Sequence, residues 1–205
     1  MTRASTAWMG CALALVLAAC GASPKESFYT LSESAGDERA SLPAQDYGVV
    51  VGPVSIPDLV DRPQFVLRMA GGEVRIAEQV RWAEPLKDSI ARAVASNLAQ
   101  QLDNARVSPV TARDPGEGDY QVLLDVQRFD SALSKAATLE VVWTLKRARS
   151  AATQTGRIRV QEVVTGSSYQ DLVAAHTRAL ADLSRRIAEV IRASRLNDLA
   201  AAPGR

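Results

Sequence analysis

Residues 120–164 read YQVLLDVQRFDSALSKAATLEVVWTLKRARSAATQTGRIRVQEVV, and their period of two decides the fold. Tyr120, Val122, Leu124 and Val126 fall on one face of a first strand. Leu139, Val141, Trp143 and Leu145 do the same on a second, and Ile158, Val160, Glu162 and Val164 on a third. The connections are short enough for an antiparallel meander with one face toward a core. Gly166-Ser167-Ser168 then breaks the pattern. The spacing of Leu172, His176, Ala179, Leu180, Leu183, Ile187 and Ile191 predicts a closing helix of about 24 residues with one apolar stripe. Beyond Ser194 the Ala-, Pro- and Gly-containing tail is expected to fray.

Toward the N-terminus a second helix is signalled by Leu86, Ile90, Val94, Leu98 and Leu102, which recur at fours with Ala93 between them. Pro85 suits the first helical position, Glu84 favours the positive helix end, and the helix should stop near Gln101–Asn104. Val107–Val110 reads as a short strand, followed by turn-rich Asp114-Pro115-Gly116-Glu117-Gly118. Gln64–Met69 and Glu73–Glu78 flank Gly71-Gly72 as a hairpin with one wet side, placing Phe65, Leu67 and Met69 on one face and Val74 and Ile76 on the partner. Its register stays open: one turn opposes Arg68 to Arg75, the other Arg68 to Glu73. Tyr47 to Val54 (YGVVVGPV) is a buried strand bounded by Pro53 and Pro57. Two striped helices and a sheet with one apolar face pack economically with both helices on the same side. The expected fold is α+β, a mainly antiparallel sheet with two amphipathic helices on one face. It forms a single domain over 46–195, with a flexible tail at 196–205.

Between Gly21 and Asp46 the composition is that of a linker, broken only by Phe28-Tyr29-Thr30-Leu31, a short strand or docking segment. As a flexible coil of about 25 residues it would reach roughly 25–30 Å. Ahead of it, Trp8 to Cys20 (WMGCALALVLAAC) is an apolar run too short to span about 30 Å of hydrocarbon. If residues 1–19 are removed as a signal, Arg3 is the only charge lost, leaving 23 basic and 23 acidic side chains. A neutral chain has no global field for nucleic acid. Cys11 leaves with the signal, so no thiol pair remains for a disulfide or metal.

The residues offer no catalytic constellation and no cofactor motif. The single histidine, His176, lies between Leu172 and Leu180 on the apolar helix face, where a core-edge role is expected. No Cys, His and carboxylate cluster has metal-ligand spacing. Asp58 and Asp61 are a conceivable carboxylate pair but sit beside Pro57 and Pro63 as turn residues. Gly71-Gly72 lacks the length and the Lys-Ser/Thr of a phosphate loop. More suggestive is Val141 to Gln161, twenty-one residues without an acid that carry Lys146, Arg147, Arg149, Arg157 and Arg159. A hairpin would gather these cations around its loop to meet anionic lipid or an acidic protein surface, or simply as a solvated edge. Arg81 and Trp82 precede the first helix, Trp82 either stapling onto the helix face or exposed for a partner.

Two resemblances bear on function. Leu17-Ala18-Ala19-Cys20 resembles a bacterial lipobox, which implies acylation of Cys20, cleavage before it and a lipid-anchored mature chain. Gly21, which is not Asp, fits the rule for delivery to the outer membrane. VGPVSIPDLVDRPQFVLR at 51–68, VRWAEPLKDSIARAVASNL at 80–98 and Tyr169-Gln170-Asp171-Leu172 in the terminal helix look like the PqiC- or YmbA-type ABC-transport auxiliary lipoproteins. Leu59 stands where that family often carries an aromatic. The resemblance implies a non-catalytic, periplasm-facing outer-membrane lipoprotein. Its partners would be an MCE-domain protein with inner-membrane permease and ABC components, and a homo-oligomer is possible. The assembly would move phospholipids or other lipophilic substrates. The alternative is a free-standing lipid- or envelope-binding lipoprotein, which would show a large apolar pocket between sheet and helices or a ligand-shaped groove, whereas an assembly subunit would show a filled core and a flat interaction face. An envelope hydrolase would need a nucleophile beside His176.

Overall fold

The computed structural model describes residues 25–31, 47–102, 105–110, 112, 114–116, 119–148, 150 and 153–201. Strands β1 (Ser27–Tyr29), β2 (Gly48–Ser55), β3 (Gln64–Arg68) and β4 (Val74–Trp82) lead into helix α1 (Leu86–Gln101). After it come β5 (Arg106–Pro109), β6 (Tyr120–Ala132), β7 (Ala136–Arg147), β8 (Thr153–Val163) and helix α2 (Tyr169–Ala201). One eight-stranded sheet runs β1-β4-β3-β6-β2-β5, with β7 and then β8 added on the other edge of β6. Helix α1 packs over β2 and β5, α2 packs over β7 and β8, and the two helices touch on that same face. The fold is α+β.

The meander from β6 to β8 is antiparallel throughout, as its sequence periodicity implies. The rest of the sheet is mixed: β2 lies parallel to both β5 and β6, and β1 lies parallel to β4. These neighbours come from distant sequence, Val49 pairing with Tyr120 for example. Alternation reports which way a side chain faces but not which strand lies beside it, so the parallel pairings were not legible.

Strand β6 is the spine. Its first half pairs with β2, and Ser131 near its end pairs with Leu67 of β3, while β7 runs along the opposite edge. A bulge between Val126 and Arg128 inserts one residue, so that Val126 and then Phe129 and Ser131 are all buried. Val49, Val51, Val122, Leu124, Leu139, Ile90, Leu98, Leu180, Leu183 and Ile187 fill the layer between sheet and helices. Each such side chain contributes about 1.5–3 kcal/mol of burial. The other sheet face is polar, with Asp130 bridging Arg68 at 3.0 Å and Arg128 at 2.9 Å.

Four local readings change. The β3–β4 hairpin takes neither anticipated register: Arg68 faces Val74, and Met69 N–H donates to the Glu73 carbonyl around Ala70-Gly71-Gly72. Gly71 and Gly72 both hold positive φ, which the turn requires. In this register Ile76 opposes Val66 rather than sharing a face with Phe65 and Leu67, and it is exposed. Pro85 caps α1 from just outside instead of opening it. Strand β2 continues through Pro53 by shifting register between Val51 and Val54.

The closing helix is 33 residues long. It starts on a capping box in which the Asp171 N–H donates to Ser168 Oγ at 3.1 Å and the Ser168 N–H donates to the Asp171 carboxylate at 3.0 Å. The Ser168 hydroxyl, then its backbone N–H, holds the Asp171 carboxyl below the usual range. Past the apolar stripe, polar ties continue the helix: Tyr120 donates to Asp198, Arg147 pairs with Asp198 at 3.1 Å, and Arg195 lies 3.9 Å over the Tyr47 ring. Burial, then the hydrogen bond to Asp198, pushes the Tyr120 hydroxyl well above its ordinary pKa.

The stretch read as a tether over 20–45 supplies strand β1 and buried Leu31. The chain is therefore paired with the sheet already at Ser27–Tyr29.

Candidate interaction site

The three motif segments converge at one end of the molecule on a run of rings. Phe65 of β3 stacks on Trp82 of β4 with centroids 4.0 Å apart. Tyr29 of β1 and Tyr169 at the start of α2 both meet the Phe65 ring at 5.7 Å, and Trp82 continues to Phe129 at 6.1 Å. Such edge and stacked pairs add roughly 0.5–1.5 kcal/mol each to their buried area. Backbone bonds lock the same corner: Trp82 N–H donates to the Pro63 carbonyl at 2.7 Å and Ala83 N–H to that of Tyr29 at 2.9 Å.

Outside the rings two depressions of about 460 and 400 Å³ adjoin one another, sharing Lys87 at the start of α1. The first runs between Asp61-Arg62-Pro63 and Trp82 to Lys87; the second reaches Gly52-Pro53-Val54, Ala91, Arg92 and Val110. Their walls are partly apolar and their rims carry ion pairs, Lys87 with Asp61 at 3.6 Å and Arg92 with Glu84. The Arg92 guanidinium, then the Ser89 hydroxyl at 2.6 Å, holds the Glu84 carboxyl below its usual range. Asp58 and Asp61 belong to the Pro57 turn, and Asp61 faces a lysine rather than a second acid. Both depressions are open surface features suited to a protein segment or small apolar group, and the second lies along the seam between α1 and strands β2 and β5.

The other sequence candidates fall into separate places. Trp82 takes the core position, 5% exposed, while neighbouring Arg81 points to the opposite sheet face and pairs with Glu26 at 2.8 Å. Lys146 and Arg147 lie at the turn end of the β7–β8 hairpin, and Arg149 lies outside the described residues. Arg157 sits further along β8, paired with Glu140 at 3.2 Å, and Arg159 directly opposes Glu140 across the ladder. Glu140 and Asp198 thus supply acids to a run that has none in sequence. Strands β4 and β8 are separated by β3, β6 and β7, about 19 Å of sheet, so these residues form no single patch.

His176 does have a hydroxyl beside it, Ser131 Oγ at 2.8 Å from Nε2. The pair is enclosed, with His176 1% and Ser131 3% exposed, and the imidazole lies stacked on Phe129 at 4.0 Å. Burial drives its pKa down to about 3, too weak for a general base at neutral pH, and Nδ1 has no orienting partner. Among the described residues no three His, Cys, Asp or Glu side chains gather as metal ligands, and no helix is long and apolar enough to cross a membrane.

The ring cluster was missed in the sequence because its members are spread from Tyr29 to Tyr169. So was the fit of Trp143 over Gly156, where an added Cβ would meet the indole at 2.5 Å.

Comparison with known proteins agrees on architecture and family. A crystal structure of an uncharacterized protein superposes with a TM-score of 0.69 at 20% identity, covering 82% of this chain and 99% of its own. One from Xanthomonas campestris, of the family DUF330, gives 0.63 at 20% identity over 85% and 99%. At that identity the likeness concerns the fold. No curated protein matches. The model of the ABC-type transport auxiliary lipoprotein component family matches residues 29–188, and the chain belongs to that family.

Proposed function

We propose that this protein is a non-catalytic outer-membrane subunit of an MCE-type intermembrane lipid transport system, anchored through Cys20 and docking the assembly from the groove at the start of α1. The observation that carries the reading is the convergence of family membership with geometry. The segments at 51–68 and 80–98 meet in one open, ion-rimmed groove braced by the ring cluster. The continuous hydrophobic core joining sheet and helices favours a docking subunit over a carrier that encloses its ligand, while an open groove is a feature that a free-standing lipid-binding lipoprotein would share. The enclosure of the Ser131–His176 pair speaks against the hydrolase alternative. Energy for transport would come from the ABC components.

The full-length lipoprotein, solubilised from native membranes and isolated through a C-terminal tag, should bring down an MCE-domain protein. Isolation of other outer-membrane proteins alone would count against the reading.

A further inference from the structure

We infer that the β1 edge is the membrane-contacting end of the molecule, with Phe28 seated in the headgroup region of the bilayer that holds the lipid anchor. The inference rests on lipidation at Cys20. Only six residues separate Cys20 from Ser27, the first residue of β1. Fully extended, that stretch spans about 25 Å, so the covalent chain itself keeps β1 close to the headgroups. A 25-residue tether would have left the orientation free.

What the leash brings to the surface has interfacial chemistry. Phe28 is 58% exposed, and it faces away from the helices because its neighbour Tyr29 points to Phe65 and Tyr169. Seated at the boundary of headgroups and acyl chains, an exposed phenyl ring removes from water apolar surface that it otherwise leaves hydrated. Lys25 is also exposed beside β1, a cation suited to anionic headgroups. Tethering makes this contact intramolecular, so a weak single-ring insertion is populated that would be negligible for a free protein.

The same geometry defines a distal end. Tyr29 lies 6.3 Å from Tyr169 at the start of α2, and Leu196 is 27 residues further along that helix, about 40 Å away. Leu196 is also exposed, at 68%, so it serves as an internal control of comparable accessibility.

Apart from Cys20 the mature sequence contains no cysteine, so Phe28→Cys and Leu196→Cys each create one labelling site. Each lipidated full-length variant is labelled with an environment-sensitive nitrobenzoxadiazole dye. It is then reconstituted in vesicles of phosphatidylethanolamine and phosphatidylglycerol containing a lipid with a shallow nitroxide quencher. Quenching at position 28 should be several-fold stronger than at position 196. Co-flotation with the vesicles but equal or absent quenching at position 28 overturns this inference alone. Failure of the lipid-processed chain to float would overturn the anchored-subunit reading and the inference together.

Discussion

Lowering the pH from about 7.5 to about 5 should destabilise the folded domain chiefly through one residue. His176 is enclosed on Phe129, and burial lowers its pKa from 6.5 to about 3. A base whose folded pKa is depressed binds fewer protons folded than unfolded between those two values. Stability is therefore complete above pH 6.5 and falls by about 1.4 kcal/mol per pH unit until about pH 3. At pH 5 the loss from this residue is about 2 kcal/mol, a large share of the 5–15 kcal/mol typical of domains. The window is clean because the chain has one histidine, and the carboxyls of Glu84 and Asp171, held low by their hydrogen bonds, act at lower pH. The assay is urea unfolding of the Cys20→Ser domain followed by tryptophan fluorescence at both pH values. His176→Gln keeps a hydrogen-bonding partner for Ser131 but cannot titrate. It should lower stability at pH 7.5 by about 1–3 kcal/mol through imperfect packing and polar mismatch, yet lose about 2 kcal/mol less than wild type on going to pH 5. Equal pH dependence in the two proteins would refute the burial argument.

Three further outcomes follow from the packing. Phe65→Ala empties the centre of the ring cluster and should cost about 3–5 kcal/mol, with near-ultraviolet dichroism showing Trp82 released; an unchanged Trp82 signal would mean the rings do not brace the groove. Gly156→Ala puts a methyl 2.5 Å from the Trp143 ring and should destabilise by about 1–3 kcal/mol with a red-shifted emission, whereas a neutral effect would show that the indole moves freely aside. Cys20→Ser should leave a folded domain that no longer sediments with membranes, and continued sedimentation would point to an anchor other than lipid.

The parts of this fold legible in the sequence are those governed by local period. Tyr120 to Val126, Leu139 to Leu145 and the stripe from Leu172 to Ile191 all face the core as their spacing requires. What escaped is set by long-range neighbours. Ile76 changed face because a three-residue turn, with Gly71 and Gly72 at positive φ, moved the register. Helix α2 outran its apolar stripe because Asp198 and Arg195 are held by polar partners on β6 and near β2, which no periodicity reports. The acid-free run ending at Gln161 looked like a basic surface, yet Glu140 opposes it across the ladder. The site was half visible: the segments around Pro57, Pro63 and Trp82 stood out, but only folding brings them against Lys87 and Arg92.

The most direct test of the docking role places photo-crosslinking residues at single positions of the lipoprotein in living cells. One replaces Lys87, exposed at the junction of the two depressions, and the other Lys146, at the far side of the sheet. The expected result is a crosslink from position 87 to an MCE-domain protein and none from position 146. Crosslinks to that protein from position 146 alone, or from neither position, would contradict the groove as the point of attachment.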